Sequence, residues 1–133
     1  MGKILVVGGL GPPDEDSKLS DARKLFAEVV GYEIVSRGHT LLGGCRTQLD
    51  ATLAKGGRSA AIDQKLEISK CIRSWVTEST TPSHDIGEIQ RSQLVDWVRV
   101  PRGFLFPEPI QISDVVIVIG GGKVHTTLRV GRV

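Results

Sequence analysis

Cysteine is nearly missing from this chain: its 133 residues hold two, Cys45 and Cys71. Two cysteines so far apart make neither a disulfide framework nor a CxxC pair, and a cytoplasmic, reducing setting is expected. Aromatic residues are scarce, at 5%, which leaves little for a base-stacking platform. No sign of charge dominates. Seventeen basic residues stand against 15 acidic ones, a formal net charge of +2, too mild for a phosphate-backbone partner, so no nucleic acid is expected. No apolar run approaches the about 18 residues of a membrane span, and no membrane is expected. Ile4-Leu5-Val6-Val7 is shorter than a signal-peptide core and ends in glycines, as a strand does. His39, His84 and His125 show no ligand spacing with one another or with the cysteines, so no metal site is expected.

What remains is ordinary globular composition, 40% hydrophobic and 24% charged, consistent with one domain over residues 1–133. Lys3–Val7 is a continuous β-rich run of the kind buried on both faces of a sheet. Beyond a polar stretch, Ser20 is a plausible N-cap. Ala22, Leu25, Phe26, Val29 and Val30 follow at helical spacing, which predicts a helix with that face inward. Thr40-Leu41-Leu42 reads as a second strand. The helix after it has Leu49, Leu53, Ala60 and Ala61 on its apolar side, with Gly56-Gly57 weakening its continuity. Cys71, Ile72, Trp75 and Val76 predict a third strand over 71–76. Asp85 is expected to cap a helix carrying Ile86, Ile89, Leu94 and Trp97 inward. Pro101–Pro109 reads as irregular, and Val115–Ile119 as the last strand. This alternation predicts an α/β fold, a Rossmann-like parallel sheet with helices on both faces.

Three of these strands end in glycines: Gly8-Gly9, Gly43-Gly44 and Gly120-Gly121-Gly122. Right-handed crossovers gather all three turns at the carboxyl edge of the sheet, where open α/β sheets bind ligands. A glycine turn feeding a helix lets a phosphate approach backbone N–H groups. Each turn alone is a weak signal. Gly9-x-Gly11 lacks the third glycine of the dinucleotide fingerprint, and Gly122-Lys123 is not a Walker A loop. Cys45 and Lys123, beside two of the turns, join the ligand-binding candidates. So does Arg91, as a phosphate partner, with Glu88 as the candidate acid or base on a ribosyl carbon. Their spacing also fits a solvated surface pair on a helix.

Val7-Gly8-Gly9, Leu42-Gly43-Gly44-Cys45 and the run from Ser113-Asp114 through Val115–Ile119 to Gly120-Gly121-Gly122 together resemble the SLOG superfamily. That group includes the LOG phosphoribohydrolases and nucleotide-sensing domains. The resemblance spans residues 3–127 and implies a Rossmann-like sheet with a ligand built on ribose and phosphate. It also lends weight to Arg91, since LOG enzymes carry an arginine in a helix before the late strand. Where those enzymes have Pro-Gly-Gly-x-Gly-Thr and a catalytic glutamate nearby, this chain has Gly120 to Thr127 and no acidic residue after it. Val133 falls where the family continues, so the last βα unit is expected to be missing. The first expectation is therefore a sensor or binding module for a nucleotide or an ADP-ribose-like, NAD-derived ligand, with no resident cofactor. The second is a nucleotide N-glycosidase or phosphoribohydrolase using Glu88. A homo-oligomer is expected, because a sheet ending at Val115–Ile119 leaves an exposed edge.

Overall fold

The computed structural model describes residues 2–10, 17–77, 81–91, 98–100, 103–105 and 108–119. In chain order the elements are β1 (Lys3–Gly8), α1 (Ser17–Ser36), β2 (Thr40–Gly44), α2 (Gln48–Asp63), α3 (Ile68–Cys71), β3 (Ile72–Val76) and β4 (Glu88–Arg91). They continue with β5 (Val98–Val100), β6 (Gly103–Leu105), α4 (Glu108–Ile112) and β7 (Val115–Ile119). Five strands form one sheet in the order β4-β3-β2-β1-β7. Every neighbouring pair in it is parallel. This is the expected Rossmann-like α/β sheet.

β1 lies inside the sheet, between β2 and β7, and its apolar run follows from that place. Leu5, Val6 and Val7 are all buried, as a strand covered on both faces requires. On one face Val6, Leu41 and Ile72 pack with Ala27, Ile34 and Val35 of α1 and Leu49, Leu53 and Ala61 of α2. On the other, Leu5, Val7, Leu42 and Trp75 pack with Ile110 and Ile112 at α4. Each large apolar side chain buried this way contributes about 1.5–3 kcal/mol. The amino ends are tied by polar bonds: Lys3 N donates to Asp114 Oδ2 at 2.7 Å and Gly2 N to His39 Nδ1 at 3.0 Å.

α2 is unbroken through Gly56-Gly57. Those glycines permit close contact rather than interrupting the helix. A Cβ on Gly56 would strike the Glu28 carbonyl, and one on Gly31 the Leu53 carbonyl. Small residues therefore line the α1–α2 contact, and this reverses the expected orientation of α1. The large residues predicted inward face out, with Leu25 63%, Phe26 57% and Val29 48% exposed. The buried side runs through Ala27, Gly31, Ile34 and Val35. Glycine and alanine add little to a hydrophobic pattern, so the pattern pointed to the wrong face. α1 also begins at Ser17, which puts Ser20 inside the first turn and not at the cap.

The other correction concerns residues 85–91. The expected helix there is a strand: Glu88–Arg91 pair in parallel with Arg73–Val76. Gly87, at φ 76°, breaks any helix started at Asp85, and the open edge of β3 supplies the hydrogen-bond partners. Leu94 and Trp97 lie outside the described residues. Within the segment read as irregular, Glu108–Ile112 is a short helix, and Gly103–Leu105 pairs antiparallel with Val98–Val100.

Candidate functional site

The strand order places the topological switch point between β1 and β7, since β2, β3 and β4 all lie on the other side of β1. In open α/β sheets this is where ligands meet the carboxyl edge. Gly8 stands there at φ 133°, a conformation that disfavours any side chain. A Cβ on it would also strike the Ile119 carbonyl. Gly9 N donates to Ile119 O at 2.9 Å, closing β1 onto the end of β7. The Gly9 N–H is thus spent within the sheet. Gly120, Gly121, Gly122 and Lys123 follow Ile119 and lie outside the described residues.

One strand over, β2 ends at Gly43-Gly44, and Thr47 caps α2. Thr47 Oγ1 accepts from Asp50 N at 3.2 Å, and Asp50 Oδ2 accepts from Thr47 N at 3.1 Å and Arg46 N at 3.1 Å. This is a capping box. Its carboxylate occupies the anion position at the helix N-terminus, where the macrodipole favours negative charge. Any phosphate approaching α2 meets Asp50 already in place. The two glycines differ sharply. A Cβ on Gly44 would sit 2.9 Å from Asp50 Oδ2, whereas one on Gly43 would meet nothing within 4 Å.

Cys45 is fully buried, and its Sγ donates to His84 O at 3.2 Å. Ser83 N donates to Cys45 O at 2.7 Å. The segment after β3 is thus fastened to the glycine turn of β2. His84 Nδ1 accepts from Ile86 N at 3.1 Å, which leaves the neutral ring's proton on Nε2. That nitrogen is buried and makes no bond of full hydrogen-bond geometry. Burial pushes the imidazole below its ordinary 6.5, with Asp50, the Gly44 backbone and Asp85 opposing.

Arg91 ends β4 at the same carboxyl edge, and its Nη1 donates to Thr77 O at 3.2 Å. Glu88 begins that strand, in register with Arg73, which in turn pairs with Leu42. It is therefore level with Leu42, about two residues or ~7 Å below the edge, and it accepts from Gln90 Nε2 at 2.8 Å. The structure brings Gly8, Gly9, Gly43, Gly44, Cys45 and Arg91 to one edge and sets Glu88 lower.

Two arginines at this edge carried no weight in the sequence. The Arg23 Nη1 of α1 donates to Leu10 O at 3.2 Å, just past the first glycine turn. Arg46 is exposed beside Gly44, and its guanidinium has no partner among the described residues. Arg46 was discoverable, since it follows Gly43-Gly44-Cys45 directly, and so was the Thr47-x-x-Asp50 box. Arg23 belongs to no motif, and only the helix position reveals it. Among the described residues, no group of three or more His, Cys, Asp or Glu side chains is placed to hold a metal ion. Nor is any helix there long and apolar enough to cross a membrane.

No family profile matches the chain, and no curated protein matches it. Solved structures do. The X-ray structure of TM1055, a structural-genomics target, superposes with a TM-score of 0.67 at 18% identity, over 98% of this chain and 66% of that one. The molybdenum cofactor carrier protein MCP from Chlamydomonas reinhardtii superposes with a TM-score of 0.67 at 19% identity, over 99% of this chain and 70% of that one. The chain therefore spans about two thirds of the length of both proteins. At such identity the likeness establishes a shared Rossmann-like α/β fold.

Proposed function

We propose that this chain is a binding module of the SLOG type that holds a nucleotide or NAD-derived, ADP-ribose-like ligand at the carboxyl edge of its sheet. The observation that carries this reading is the exposed Arg46 beside the Gly43-Gly44 turn, one strand from the switch point, with Arg23 and Arg91 placed along the same carboxyl edge. Guanidinium groups form paired, charge-assisted hydrogen bonds with phosphate oxygens. Because Asp50 and Ile119 already engage the nearby backbone N–H groups, the phosphate contacts fall to these side chains and to Lys123. The open space beside Gly43 admits the ligand's approach. The likeness to a molybdenum cofactor carrier supports the broader form, an edge that holds an organic cofactor or nucleotide. The position of Glu88 below the edge favours binding over the phosphoribohydrolase reaction.

The proposal extends to a homo-oligomer. Leu19, Leu25, Phe26 and Val29 form an exposed apolar stripe on α1, a surface monomers seldom leave uncovered.

The test is calorimetry with ADP-ribose, NAD and AMP, together with mass spectrometry of nucleotides extracted from the purified protein. Submillimolar binding that falls at least tenfold in Arg46→Gln is expected. No heat at millimolar ligand, with no nucleotide extracted, overturns the reading.

A further inference from the structure

A second cleft lies away from the glycine edge, and it arises from the way β3 connects to β4. Parallel neighbours are usually joined by a crossover helix, and such a helix would pack on the flank of α2. Residues 81–87 form no helix. They are fastened at the carboxyl edge by the Ser83–Cys45 and Cys45–His84 bonds. Ile86 is buried in the core beside α2, and Gly87 lies against Ile72 at the amino end of β3. Residues 81–87 are a non-helical strap, which covers the flank of α2 only in part. The remaining space is a cleft of about 280 Å³ lined by Arg58, Ile68, Ser69, Asp85, Ile86 and Gly87.

Its lining carries two opposite charges that do not neutralise each other. Arg58 is half-buried, Asp85 is exposed, and neither makes a hydrogen bond or ion pair with a side chain among the described residues. Ser69 donates its hydroxyl to Glu67 Oε1 at 3.2 Å and keeps its lone pairs for a donor. Ile68 adds apolar wall. The volume is just below the range of drug-sized pockets and suits a smaller molecule.

The geometry points to a binding site for a free amino acid with an apolar side chain. The planar Arg58 fork takes the carboxylate through two parallel hydrogen bonds. The Asp85 carboxylate, which only accepts, takes the ammonium. The apolar side chain lies against Ile68. Each charge also rejects the simpler competitors: Asp85 repels a phosphate or plain carboxylate, and Arg58 repels a plain amine. The unjoined pair thus selects a molecule carrying both charges.

The test is calorimetry on the full chain with L-leucine, with isocaproate, which lacks the amine, with isoamylamine, which lacks the carboxylate, and with inorganic phosphate. Leucine is expected to bind at least tenfold more tightly than isocaproate and isoamylamine, and any phosphate binding is expected to be unaffected by Arg58→Gln. Arg58→Gln and Asp85→Asn should each weaken leucine at least tenfold with unchanged circular dichroism, since neither side chain makes a hydrogen bond or ion pair among the described residues. Gly43→Ala, at the glycine edge, should leave leucine binding unchanged, so this site stands or falls apart from the proposed nucleotide site. No heat with millimolar leucine in folded protein overturns the inference. So does unchanged leucine affinity in Arg58→Gln, or phosphate binding tighter than leucine that is lost in Arg58→Gln.

Discussion

Gly43 and Gly44 are neighbours in sequence, yet a methyl group has opposite consequences at each. At Gly43 it enters open space, and alanine in a strand is favoured over glycine by about 0.5–1 kcal/mol. Gly43→Ala should therefore raise the urea midpoint of the free protein while weakening ADP-ribose, because the added group stands where the ligand approaches. A lowered midpoint would contradict the open geometry. At Gly44 a larger side chain displaces Asp50, and loss of such a cap costs about 1 kcal/mol. Gly44→Val should lower the midpoint, so it probes the helix cap as much as the ligand site. His84 sets the pH response. Its folded pKa lies below 6.5, so as pH falls the unfolded chain takes up the proton first. Stability is then level above 6.5 and declines from there down to the folded pKa. His84→Asn keeps an acceptor for Ile86 N–H and removes the titration. Its denaturation midpoint should vary less than the wild type's between about pH 7 and about pH 5, and equal slopes would refute the assignment.

At the scale of elements, the α1–α2 contact pits intrinsic preference against packing. Propensity alone favours alanine over glycine in a helix by about 1 kcal/mol. Gly56→Ala should nonetheless destabilise, because its Cβ meets the backbone carbonyl of Glu28, which cannot rotate away. Forced overpacking costs about 1–3 kcal/mol. Thermal unfolding should show a lower Tm, and a higher one would mean that the helices are not in contact there. The same contact explains the outward face of α1. Ala27 and Gly31 give α2 its close approach, and the bulkier Leu25, Phe26 and Val29 are left on the opposite side. β4 shows a different competition. Four residues are too few for periodicity to separate strand from helix, and the pairing offered by β3 decided it.

For the whole molecule, the exposed apolar side chains among the described residues include the stripe on α1 and Val115 and Val118 of β7. An α1-mediated dimer is expected to dissociate when charge enters the stripe. Light scattering of Phe26→Lys should give a monomer where the wild type gives a dimer. A monomeric wild type at high concentration would remove the oligomer from the proposal. Phe26 is more than half exposed, so the substitution leaves the core untouched and the two outcomes stay separable.

The sequence alone determined the sheet's interior and the glycine-bearing turns at its carboxyl edge. The continuous apolar run Ile4–Val7 belongs to a strand covered on both faces, and Gly8-Gly9 marks where it stops, whereas the equally apolar Val115–Ile119 forms the end strand of the sheet order and leaves Val115 and Val118 exposed. Composition bounded the rest, since few aromatics and balanced charge argued against nucleic acid. Only the tertiary structure decided what depends on contacts distant in the chain. Glycines at 31 and 56 meet across two helices, and no local pattern records that meeting. Asp50 fills the anion position at α2 while Gly9 N is taken by Ile119, so these backbone groups do not form the open cradle expected from the glycine turns. The direction of β4 sets Arg91 at the edge and Glu88 below it, a separation that their spacing of three could not reveal, because it depends on which backbone conformation joins them.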